Sequence, residues 1–165
     1  MSMNERFPRV RRRIFQQAKV GATAGWTVNA AADTFMSTCA QNATNGTLII
    51  PLRGLEIGDR MVGHHMVGQI DSAGNAVTIV AKIVEFAAVA AGSVATDKPG
   101  TTGTTLSVTA DTAMTEANTK KIFDDANQVV VEDGKTYFAI VTATTGATTD
   151  IELLGLVLHI KPATN

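Results

Sequence analysis

From Trp26 onward, short runs of Val, Ile, Leu and Thr alternate with breaks bearing glycine and asparagine. No long segment spaces its apolar residues at the interval of a helix, so the pattern predicts strands. Thr47-Leu48-Ile49-Ile50 follows Asn45-Gly46 and meets Pro51, which ends a ladder or marks a sheet edge. Residues 60–70 and 77–84, joined by Ser72-Ala73-Gly74-Asn75, read as a long hairpin. Residues 92–105 hold Pro99, Gly100 and Gly103 and read as a loop, followed by a short strand at 106–109. Residues 115–127 favour irregular chain or a short strand at Ile122 and Phe123 over a short helix.

The C-terminal third has the clearest grammar. Residues 128–132, then Asp133-Gly134, then 135–142 carry the signature of a two-residue hairpin. Its register sets Glu132 opposite Lys135, Val130 opposite Tyr137 and Val129 opposite Phe138, and gives Val129, Val131, Phe138 and Ile140 one face. The last strand, 150–160, is apolar on both faces. Ile151, Leu153, Val157 and His159 alternate with Leu154, Leu156, Leu158 and Ile160. An antiparallel strand usually leaves one face wet. Leu154, Leu156, Leu158 and Ile160 are therefore a candidate subunit interface. About nine strands separated by turns predict an all-β fold, an antiparallel β-sandwich of jelly-roll type.

Composition adds a reason to look for a partner. Of 165 residues, 45% are hydrophobic but only 5% aromatic, and 18% are charged, below the roughly 25% usual for soluble domains. The net charge is −1, yet six cations against the single acid Glu5 crowd into the first nineteen positions, so the remainder is acidic. Residues 1–24 read as an extended basic N-terminal arm and joint, and 25–165 as the sandwich domain. Within the arm, Arg6, Arg9, Arg11, Arg12, Arg13 and Lys19 supply charge, while Phe7, Ile14 and Phe15 are suited to docking on protein. An acidic body makes direct nucleic-acid binding unexpected. No apolar stretch approaches the ~20 residues of a membrane helix, so no membrane partner is expected.

Chemistry-bearing groups are sparse. The single Cys39 excludes an internal disulfide and reads as a small buried hydrophobe. His64 and His65 are adjacent on a strand and point to opposite faces, and His159 stands alone, so no metal site is expected. Gly134-Lys135-Thr136 resembles the tail of a phosphate loop but lacks the earlier glycine, Val129 standing there. Asp124-Asp125 and Glu132-Asp133 read as solvated surface. Trp26 and Tyr137 are the only plausible sugar platforms. Neither an enzyme nor a cofactor is expected.

Gly58-Asp59, Val67-Gly68-Gln69-Ile70, Ala73-Gly74-Asn75-Ala76-Val77-Thr78 and Ser107-Val108-Thr109-Ala110-Asp111 form a recognisable series. Tyr137, Val141-Thr142-Ala143-Thr144-Thr145, Asp150-Ile151 and Gly155 continue it. Through these pieces, residues 48–160 resemble the small β-sandwich cement, or decoration, proteins encoded beside the major capsid protein in many tailed bacteriophages, including those infecting cyanobacteria. The resemblance implies a virion protein on the outer surface of the capsid. It would form a homotrimer at three-fold or quasi-three-fold positions, with the major capsid protein and neighbouring cement trimers as partners. The basic arm lies outside the resemblance; its charge alone suggests an anchor to the capsid or to a neighbouring trimer. The alternatives are a trimeric head-fibre or tail-fibre domain and a glycan-binding sandwich module.

Overall fold

The computed structural model describes residues 10–15, 25–28, 36–89, 92–98, 103 and 105–163. In chain order the strands are β1 (Arg11–Phe15), β2 (Trp26–Val28), β3 (Ser37–Cys39), β4 (Gly46–Pro51), β5 (Arg60–Ser72), β6 (Val77–Val89), β7 (Gly92–Asp97), β8 (Leu106–Val108) and β9 (Thr112–Met114). A single helical turn, α1 (Glu116–Thr119), precedes β10 (Lys121–Ile122) and a 3-10 turn at Asp125–Asn127. The chain closes with β11 (Val129–Val130), β12 (Lys135–Thr144) and β13 (Thr149–Lys161).

Two antiparallel sheets result. In the larger, β5 and β13 form the central ladder; β9, β10 and β11 line the free flank of β5, while β1 and β3 share the free flank of β13, with β2 beyond β3. The smaller runs β4-β12-β6, with β7 and β8 sharing the far side of β6. Met61, Met66, Ile70, Leu153, Leu156 and Leu158 from the larger sheet meet Leu48, Ile50, Ile79, Ile83, Ala139 and Val141 from the smaller in one core. Aliphatic side chains dominate it, as the low aromatic content requires. Pro51 sits in β4, at the edge of its sheet, where a missing N–H costs no ladder bond.

Several expectations change. Residues 60–70 and 77–84 do not form a hairpin, because β5 and β6 belong to different sheets. Both strands are long, bury a full inner face and have both ladder edges occupied, so Ser72–Asn75 becomes a corner between sheets. The Asp133-Gly134 turn is present, with Gly134 at φ 70°. It too joins the sheets, since β11 pairs with β5 and β12 with β6 and β4. Lys135 consequently meets Glu85 at 2.8 Å rather than Glu132. The inner face of β12 is Tyr137, Ala139, Val141 and Ala143, and Phe138 and Ile140 lie half-buried on the other side. The loop expected at 92–105 begins with a strand, β7.

The apolar doubling of the last strand has a local cause. Register shifts between Leu153 and Gly155, so Leu154 is an extra residue and the side-chain phase reverses. Ile151 and Leu153 before it, and Leu156, Leu158 and Ile160 after it, therefore share the inner face, all at most 4% exposed. Leu154 is half-buried on its own. The candidate subunit interface is, for three of its four residues, the chain's own core.

The expected arm is corrected as well. Residues 11–15 are not detached: β1 pairs with β13, Arg11 opposite Ile160 and Phe15 opposite Leu156. Phe15 is buried beside the core rather than offered to a partner, and Arg13 seals that edge through a 2.6 Å bond to Gly54 O and a guanidinium 5.4 Å from the Phe15 ring. Gly155 makes the approach feasible, since a Cβ there would meet Phe15 O. Arg6, Phe7, Arg9 and Lys19 lie outside the described residues.

Candidate functional site

The outer face of the larger sheet is where chemistry collects. Two bulges, at Val62 on β5 and Leu154 on β13, set which residues point outward. From one end of the central ladder to the other, the outer pairs are Arg60/Lys161, Gly63/His159, His65/Val157, Val67/Gly155, Gln69/Glu152 and Asp71/Asp150. The face is therefore cationic at one end and anionic at the other, with valines between.

Near the cationic end, the imidazoles of His65 and His159 meet across the ladder. His65 Nδ1 and His159 Nε2 are 2.9 Å apart, with the rings edge to face. One nitrogen donates and the other accepts. Both side chains are buried, at 7% and 3% exposure. Desolvation lowers the His65 pKa against the opposing pull of Glu116, and lowers that of His159, with the neighbouring His65 adding to it. The pair is held neutral.

An ionic strap covers the two rings. Arg12, opposite His159 on β1, reaches across the face to Glu116 of α1, making contacts of 2.9 and 2.7 Å to the two carboxylate oxygens. Lys120 binds the same carboxylate at 2.7 Å. The Lys120 hydrogen bond leads in holding Glu116 below the ordinary carboxylate range, against a smaller opposing effect of burial. The position of α1 follows from the ladder. β9 pairs with residues 68–70 and β10 with 63–64, leaving Met66 N–H and C=O open between them. Thr119 Oγ1 accepts from that N–H at 2.9 Å and lies 3.0 Å from that C=O, so a threonine side chain completes the edge. Beside the strap opens a cavity of about 430 Å³, lined by Arg12, Lys120 and His159 over Val62, Ile122 and Phe123. Val10 and Ile122 border it and are exposed, at 51% and 54%.

At the other end, Asp71 and Asp150 face each other and Glu152 accepts from Gln69 Nε2 at 2.5 Å. Asp111 adds a fourth carboxylate, its Oδ1 accepting from Ser72 N–H at 3.0 Å. The Asp111 charge is the first cause that raises the Asp71 pKa, with burial and the nearby Asp150 and Glu152 contributing. A hollow of about 310 Å³ lies between Gln69, Asp71, Asp111 and Thr112.

No known protein family and no curated protein matches the chain. Of the residues singled out in the sequence, Arg11, Arg12 and Arg13 are exposed on β1, Ile14 is exposed beside them, and Phe15 is buried. Trp26 and Tyr137 are both buried, at 7% and 2%, and Tyr137 OH is fixed to Val130 O and Glu132 N–H. His64 and His65 do lie on opposite faces, His64 against Phe123 in the core. Sequence reading passed over the His65–His159 contact and the roles of Glu116 and Lys120. The register of β5 on β13 brings the two histidines together, and the pairing of β9 and β10 with β5 places Glu116 and Lys120 beside them. Among the described residues, no three His, Cys, Asp or Glu side chains converge as metal ligands.

Proposed function

We propose that this chain is a structural virion protein, a cement or decoration protein that binds the outer surface of a phage head and stabilises the shell. The observation that carries the reading is the β1 edge. Exposed Arg11 and Arg12, with exposed Val10 and Ile14, stand on a sheet that the rest of the chain already holds rigid. Cations beside apolar side chains suit an acidic protein surface better than a bare polyanion. The resemblance of residues 48–160 to cement proteins supplies the setting: trimers at three-fold positions, bound to the major capsid protein. Jelly-roll winding belongs to this proposal. Many copies that bind only the assembled shell would stabilise it by mass action. The two rings considered for sugar are enclosed in the fold, which weighs against the glycan-binding alternative.

The test uses empty heads of the phage that encodes the chain. Arg11→Gln with Val10→Ser leaves the strap and core untouched and should weaken binding several-fold at low salt, since exposed ion pairs contribute only about 0.2–1 kcal/mol each. Heads that the intact chain does not decorate, or a gene neighbourhood without capsid genes, would overturn the proposal.

A further inference from the structure

We infer that the outer face of the larger sheet docks on the same face of a second copy of this chain, with the two ladders antiparallel about a two-fold axis crossing their middle. The six outer pairs read in one direction are Arg60/Lys161 through His159 and His65/Val157 to Glu152 and Asp71/Asp150. Turned end for end, the same series sets Arg60 and Lys161 of one copy over Asp71 and Asp150 of the other, and the reverse at the far end. Val157 and Val67 come together at the axis. An isologous contact needs this property, a patch complementary to itself under one rotation.

Two further features fit. Among the described residues, no ion pair engages Arg60 or Lys161, and the four carboxylates at the opposite end crowd one another instead of meeting a cation. Each end therefore has unsatisfied charge of the sign its counterpart lacks. A rotation about an axis across the strands keeps β5 over β5 and β13 over β13, so Arg60 meets Asp71 and Lys161 meets Asp150. Eleven residues of ladder, four strands wide, give a face of roughly 36 by 19 Å, about 700 Å² per copy, close to the ~800 Å² of a standard interface.

The inference rests on the proposed function only for where the contact would act, between adjacent trimers on a shell. The pairing itself is a property of the protein alone. The experiment is disulfide trapping of the full chain, read on a denaturing gel so that only chain pairs count. Val67→Cys, near the axis, should link to itself on mild oxidation, while Arg60→Cys and Asp71→Cys should each fail alone and link when mixed. Adding Asp150→Lys and Glu152→Lys to the Val67→Cys chain should cut linkage by about ten-fold. Mixing that chain with a Val67→Cys chain carrying Arg60→Glu and Lys161→Glu should restore it. Circular dichroism confirms that each variant is folded, and Cys39 is buried and does not compete. Linkage indifferent to charge reversal, or absent at Val67, overturns the inference. Pairing without shell binding, or shell binding without pairing, separates its failure from that of the functional proposal.

Discussion

Burial raises the Cys39 thiol to about 11, with the Asp150 charge adding to the effect. Native protein at neutral pH should therefore react with a thiol reagent only when it unfolds; rapid stoichiometric labelling of the folded chain would contradict this. The His65–His159 pair gives stability its pH dependence. Both folded-state pKa values lie below the ordinary 6.5, so the unfolded chain binds more protons. The stabilisation is complete above 6.5 and is lost as pH falls from there through the lowered values. The raised Asp71 pKa acts with opposite sign, in a more acidic window above its ordinary 3.8. His65→Gln should cost about 1–3 kcal/mol at neutral pH and flatten the loss between neutral and mildly acidic pH, as read by urea unfolding. An unchanged slope would sink this account. Alternation alone made the buried Cys39 and the opposed His64 and His65 legible. The contact with His159 was not, because it depends on which rung of β13 stands beside β5.

At the scale of elements, β1 is the instructive case. Three consecutive arginines read as a segment that repels itself and stays out, but their backbone finds an open ladder beside β13, and alternation turns Phe15 inward and Arg12 outward, while Arg11, on the face of Phe15, remains exposed near the end of the strand. Phe15→Ala should destabilise the protein by about 3 kcal/mol. Gly155→Val should do comparable damage by pushing β1 off the ladder, and amide exchange at 11–15 should then accelerate while β12 stays protected. If neither change is detectable, β1 does not contribute to the folded body. The hairpins at 60–84 and 128–142 teach the complementary point. Turn residues announced that the chain reverses at Gly74 and Asp133-Gly134, and it does. A turn signal carries no information on whether the next strand joins the same sheet or the facing one.

For the whole molecule, the final strand is the organising piece. β13 holds β5 on one side and both β1 and β3 on the other, so the two ends of the chain meet in one ladder. A chain ending at Thr148 should lose the cooperative unfolding transition altogether, and Leu156→Asp should do the same, an unpaired buried charge costing several kcal/mol. A cooperative melt in either variant would contradict this. With pairing so non-local, refolding should take milliseconds to seconds rather than microseconds. The amino-acid sequence by itself determined the all-β class, the aliphatic core, most turns and the separation of a basic beginning from an acidic remainder, since each follows from local alternation and composition. Only the tertiary structure decided the sheet to which each strand belongs, the phase of β13 and the ionic strap over the two histidines. Those depend on register, and two bulges of one residue each are enough to exchange inner and outer faces without leaving a mark in the pattern.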